Sequence, residues 1–175
     1  PQGFAGDRIP LYCQRRDNTI LYPYLNAEDH LLYAAQCYGL PQSRVDEVID
    51  YIGIGDFIHK RTVACSLGMK QLILLALAIL NKPAVLVMDE PLNGLDPGNV
   101  IRFRQMMLDL VAGGTTILLS SHSLAEIDAV TKHIFSLKNH TIQEEFLLPK
   151  GGNHDQQRAE DRYREIYSPT FDQKS

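Results

Sequence analysis

Hydrophobic and polar positions follow two different periods along this chain. From Asn26, apolar residues recur at helical spacing: Leu31, Leu32, Ala35 and Tyr38 predict a helix that Asn26 can cap and Gly39 ends. Glu28 and Asp29 add acidic groups to its first turn. Pro41 and Ser43 open a second helix, with Val45, Val48, Ile49 and Ile52 as its stripe and Gly53 and Gly55 at its end. Leu67 to Leu80 is apolar nearly all round after Gln71, which predicts a buried core helix that Asn81, Lys82 and Pro83 stop.

The period then changes. Ala84 to Met88 is a short continuous apolar run, the pattern of a buried parallel strand. A helix over 98–112 follows, ended by Gly113 and Gly114. Thr115 to Leu119 repeats the buried-strand pattern, Ser123 to Thr131 reads as a helix, and Ile134 to Leu137 as a strand able to pair with Thr141 to Phe146. Before Asn26 the chain is irregular around one short strand, Ile9 to Cys13, and Arg15, Arg16, Asp17 and Asn18 form a polar cluster. Strands alternating with helices predict an α/β domain with a mostly parallel sheet. Residues 150–175 carry charges of both signs and few aliphatics, so a disordered or loosely docked tail is expected there.

Composition narrows the function. The chain has 175 residues, 45% of them hydrophobic and 22% charged, enough to bury a core. A net charge of −4 argues against broad nucleic-acid binding. Cys13, Cys37 and Cys65 are too widely spaced for a disulfide framework or a metal motif. No apolar run is long enough to span a bilayer.

The candidate chemistry begins at Asp89 and Glu90. A strand ending in two carboxylates puts acidic groups at the carboxyl edge of a sheet, where ligands of open α/β sheets bind. One can hold Mg²⁺, which prefers oxygen ligands, and the next can activate water for attack on a phosphate. Alone, the pair fits two solvated carboxylates opening a loop equally well. Asn93, Gly94, Leu95, Asp96 and Pro97 then lead into a helix, and His122 follows the next strand. If the two strands are neighbours, His122 and Glu90 should face one crevice. Upstream, Ser66, Gly68, Lys70 and Gln71 lie at a helix start, whose free N–H groups favour anions.

The order SLGMKQ, AVLVMDEP, LNGLDP and SSH is far more specific than any single piece. It resembles the nucleotide-binding domain of ABC transporters, over about residues 9–146, and most closely the bacterial exporter subunits linked to antimicrobial-peptide resistance and to multidrug or lipid export. SLGMKQ is similar to the signature motif, VLVMDE to the Walker B strand, NGLDP to the D-loop, and SSHSLAEID to the switch-histidine segment. The resemblance implies a P-loop NTPase-like fold with a helical signature subdomain, here over residues 26–80, a Walker B to switch-His core over 81–149, and the tail at 150–175.

It also implies roles. Asp89 is the Mg²⁺-associated carboxylate, Glu90 polarises the attacking water, His122 senses the γ-phosphate, and Asp96 is the D-loop carboxylate at a dimer interface. Ser66 and Gly68, with Gln71 beside them, contact ATP held mainly by a second ABC ATPase domain. A Q-loop glutamine should reach Mg²⁺ and the membrane partner. Gln14 is the nearest candidate, although ungapped spacing puts Asp17 there. Tyr22, Pro23, Tyr24 and Leu25 fall where the family meets its transmembrane permease, at the cytoplasmic face of the membrane.

One motif has no match. The phosphate-cradling sequence G-x-x-x-x-G-K-[ST] does not occur. With a start at Pro1, the expectation is an N-terminally truncated domain, 1–149. The other reading is a degenerate subunit that offers only its signature face to an intact partner. A soluble ABC ATPase of translation or DNA repair is disfavoured, because the acidic chain shows no basic face or inserted arm.

Overall fold

Local signals set the helix ends as expected. In the computed structural model, which describes residues 11–14, 21–131, 133–138 and 141–147, Asn26 caps helix α1 (Ala27–Tyr38). Its side chain accepts from Asp29 N–H at 2.8 Å, and the Asp29 carboxylate accepts from Asn26 N–H at 3.2 Å, a reciprocal capping box. Gly39 closes α1 in the left-handed conformation. Helix α2 (Gln42–Ile52) buries Val45, Val48 and Ile52 and ends at Gly53. Gly55 instead opens a 3₁₀ turn, Gly55–Phe57, and a second, Thr62–Ala64, leads to Ser66.

Helix α3 (Leu67–Ile79) is buried from Gln71 onward apart from half-buried Leu77, as its composition demands. It packs on α1, α2 and strand β1 (Leu11–Gln14). Its C-terminus has no glycine cap. Arg44 of α2 donates from Nε to Leu80 C=O at 2.9 Å and from Nη2 to Ile79 C=O at 2.8 Å, and the Lys82 amide also donates to Ile79 C=O at 3.1 Å.

Two compact units divide the chain, Pro1–Ser120 and Ser121–Ser175. In the first, β1, β2 (Val85–Asp89) and β3 (Thr116–Ser120) form a parallel sheet in that order. The register runs Leu11↔Val85 to Gln14↔Met88, and Val85↔Thr116 to Asp89↔Ser120. Helix α4 (Pro97–Ala112) connects β2 to β3 and packs against β3. The strand expected to end at Cys13 includes Gln14, because Gln14 still has a partner in Met88.

Strand β2 alternates half-buried Val85 and Val87 with buried Leu86 and Met88. Strand β3 departs from expectation. It is not buried: its residues alternate exposed and half-buried, and Leu118 is 53% exposed. Its apolar run reads as buried on both faces, but β3 is the outer strand of the described sheet and is only partly covered.

In the second unit, helix α5 (Leu124–Val130) precedes an antiparallel hairpin of β4 (His133–Lys138) and β5 (Thr141–Leu147). The expected pairing forms, with a register shift between Ser136 and Leu137. The expected tail at 150–175 lies outside the described residues.

Candidate functional site: a carboxylate edge beside a helix start

Parallel pairing in register brings the carboxyl ends of β2 and β3 to one edge, with Asp89 opposite Ser120. The Ser120 hydroxyl donates to Asp89 Oδ1 at 2.5 Å. The Glu90 amide donates to both the carbonyl and the hydroxyl of Ser120, each at 3.2 Å. Sequence reasoning missed Ser120, although a serine directly before Ser121 and His122 was the available signal.

Glu90 has φ +50, in the left-handed region that a residue with a side chain rarely adopts. Its two bonds to Ser120 hold it there. This conformation turns the chain off β2 into successive turns, closed by Asn93 N–H to Glu90 C=O at 3.2 Å and Leu95 N–H to Leu92 C=O at 3.3 Å. Strain of this kind, of order 1–3 kcal/mol, persists where surrounding structure over-determines it, and it clusters at functional sites.

The turns end at Asp96, which caps α4. Its Oδ1 accepts from Asn99 N–H at 3.1 Å and its Oδ2 from Asn99 Nδ2 at 2.5 Å. These bonds to Asn99 hold the Asp96 carboxyl below its ordinary range.

The same loop packs against the start of α3. Gly94 has φ +80, and the Leu67 side chain occupies the space that a Cβ on Gly94 would need. A Cβ on Gly68 would lie 3.4 Å from the Leu95 side chain and 3.6 Å from Gly94 C=O. Both are ordinary van der Waals distances, so the loop lies against Gly68 without excluding a Cβ there. Ser66 is the N-cap of α3, its hydroxyl accepting from Met69 N–H at 3.2 Å. Ser66 is exposed and Gly68 half-exposed, whereas Gln71 is only 3% exposed.

Gln14 ends β1 one register step before Asp89. Asp17, the alternative, lies outside the described residues. His122 is exposed and is the second residue of the second unit, and the N-cap of α5 is Ser123. Tyr22 and Tyr24 are 63% and 80% exposed, and Pro23 and Leu25 are exposed beside them.

Among the described residues no group of three or more His, Cys, Asp or Glu side chains could cage a metal. The exposed Asp89 carboxylate beside a hydroxyl suits a hard cation held by few protein oxygens, as Mg²⁺ commonly is.

Known proteins are similar to this chain in sequence and in fold. A solved structure described as the ATP binding subunit of an ABC transporter superposes with TM-score 0.73 at 25% identity, over 92% of this chain and 63% of that one. The uncharacterized ABC transporter ATP-binding protein YdbJ of Bacillus subtilis (strain 168) is 34% identical over 134 residues, 75% of this chain and 44% of its own length. The chain belongs to the ABC transporter ATP-binding proteins. Further ABC relatives include the lantibiotic transport ATP-binding protein SrtF of Streptococcus pyogenes, 32% identical over 65% of this chain and 50% of its own length. The bacitracin transport ATP-binding protein BcrA of Bacillus licheniformis is 35% identical over 71% of this chain and 41% of its own length. The chain thus spans about half the length, or less, of these curated relatives. Residues 43–128 also match a family described as "AAA domain, putative AbiEii toxin, Type IV TA system".

Proposed function

We propose that this chain supplies the hydrolytic edge and the signature face of an ATP-binding subunit that couples ATP binding and hydrolysis to export across a membrane. The observation that carries this reading is the edge itself. Asp89 and Ser120 are hydrogen-bonded at the ends of two parallel strands, Glu90 follows with its amide bonded to Ser120, and the loop after them packs on the start of α3.

Phosphoryl transfer asks a protein mainly for positioning and charge stabilisation. In this reading Glu90 orients and polarises the attacking water, and its Ser120-held backbone fixes where the carboxylate starts. Asp89, with Gln14 at the end of β1, holds Mg²⁺, which when bound neutralises phosphate charge. His122 contacts the γ-phosphate. Ser66 and Gly68, with Gln71 behind them, address a nucleotide held by a second ABC ATPase domain, and Asp96 lies at the interface of that dimer.

The exposed Tyr22–Leu25 loop meets a transmembrane permease, which places the subunit at the cytoplasmic face of the membrane. The lantibiotic and bacitracin relatives support cargo of the peptide-antibiotic class. Residues 26–80 then act as the signature subdomain and 81–149 as the Walker B to switch-His core.

The alternative reading, a non-catalytic module that lends its signature face to an intact partner, is disfavoured by relatives named as transport ATP-binding proteins. Glu90→Gln separates the two. In the protein that carries this chain, ATP turnover should fall by about 10²-fold or more while nucleotide binding persists. Unchanged turnover would remove the role given to Glu90 and leave the second reading.

A further inference from the structure

Three buried polar side chains are found among the described residues: His30, Thr62 and Gln71. Burying a polar group is unfavourable unless its hydrogen bonds are made. Two of the three make theirs to the backbone of one exposed residue, Tyr22. The Tyr22 amide donates to His30 Nε2 at 2.9 Å. The Thr62 hydroxyl donates to Tyr22 C=O at 2.6 Å.

The histidine's geometry admits one tautomer. A backbone N–H only donates, so Nε2 must be the acceptor. Nδ1 lies 2.6 Å from Asn26 C=O, which only accepts, so Nδ1 carries the proton. His30 is therefore neutral while both bonds stand, and its ring stacks on Tyr22 at 6.0 Å between centroids. Replacing the imidazole by an apolar group leaves the Tyr22 amide without its partner, and replacing the hydroxyl removes the shorter of two bonds to the Tyr22 carbonyl, the other coming from Leu25 N–H at 3.2 Å.

Thr62 does more than hold Tyr22. Its amide donates to Leu25 C=O at 2.9 Å, and the Val63 amide donates to Pro23 C=O at 3.0 Å. Its carbonyl accepts from Cys65 N–H at 3.1 Å, one residue before Ser66. A surface loop ordinarily satisfies its backbone with water. This loop, whose side chains are largely exposed, is instead fastened to buried polar groups on two elements.

We propose that His30 and Thr62 are positioning residues that clamp the backbone of Tyr22 and so join the exposed Tyr22–Leu25 loop to the segment that enters α3 at Ser66. The clamp rests on the reading given above only for its purpose, which is that the permease-facing loop and the nucleotide-facing helix start move as one piece. The hydrogen bonds themselves can be tested without ATP or a permease, so failure of the transport reading and failure of the clamp are distinguishable.

The test is hydrogen exchange on the full chain carrying Thr62→Val or Thr62→Ser. Thr62→Val should speed exchange about tenfold or more at Tyr22 and Leu25 and, with them, at Val63 and Met69, leaving residues 46–52 of α2 unchanged. Thr62→Ser, which keeps the hydroxyl, should restore the original rates. Faster exchange in the loop alone, or none, overturns the junction, as does a failure of Ser to rescue. Should Thr62→Val not fold, nitrogen NMR of His30 in the unaltered chain decides the other half. Protonated Nδ1 with bare Nε2 supports the clamp, and a proton on Nε2 sinks it.

Discussion

Glu90 is the residue where backbone and proposed chemistry meet. Few residues with side chains sit at φ +50, and here two bonds from one amide to Ser120 hold the conformation. Gly94 makes the complementary case, because φ +80 and the Leu67 side chain both exclude a Cβ. Gly94→Ala should therefore cost about 1–3 kcal/mol, read as a lowered urea midpoint. Adding Leu67→Ala should recover part of that by relieving the contact and leaving the φ strain. No recovery would mean that the leucine gives way freely.

Asp96 yields a prediction in pH. Its bonds to Asn99 favour the carboxylate, so its pKa is lower folded than unfolded. The stabilisation it adds is present above the unfolded value and is lost only as pH falls through the lower, folded one. Followed through the Asn99 amide shift, the cap should titrate below the ordinary aspartate value of 3.8. A midpoint at or above that value would show that the cap does not hold the charge.

At the scale of elements, the ends of the helices were the most legible feature. Asn26, Gly39, Gly53, Ser66 and Asp96 act within one turn of themselves, so their neighbours in sequence decide what they do. The end of α3 is different. Arg44 reaches it across 36 residues of sequence, and no local signal reveals that.

The same arginine makes an ion pair with Glu47 at 2.9 Å on the surface of α2, and the guanidinium lowers the Glu47 pKa. Solvent screens that pair, whereas losing Arg44 takes the donor from the Leu80 carbonyl and leaves the Ile79 carbonyl with the Lys82 amide. Arg44→Met should accordingly destabilise the chain by about 1–3 kcal/mol in urea unfolding, and Glu47→Gln by much less. Comparable losses would mean that the ion pair, not the helix cap, is what Arg44 contributes. Strand β3 was misread for a related reason. An apolar run states that a strand can be buried, while its place in the sheet order settles how much of it is.

For the molecule as a whole, the motifs carry the family and the tertiary structure carries the relations between them. Asp89, Glu90, Ser66, Gly68 and Asp96 could each be named from residue type and spacing. That Ser120 bonds to Asp89 and Glu90 depends on parallel pairing of strands separated by α4. That Leu67 fills the space over Gly94 depends on α3 packing beside the loop after β2. His30 and Thr62 stand in the sequence as ordinary polar residues, eight and 40 positions from Tyr22, and only folding buries them against it.

By itself, then, the sequence determined what acts over a turn or two: helix caps, apolar stripes, strand runs and the succession of motifs that marks an ABC ATP-binding protein. The tertiary structure decided which strand is outermost, which carboxylate meets which hydroxyl, and which polar groups are buried. The division is physical. Capping and periodicity are properties of neighbouring residues, whereas burial and hydrogen-bond partnership across tens of residues exist only once distant segments are packed together.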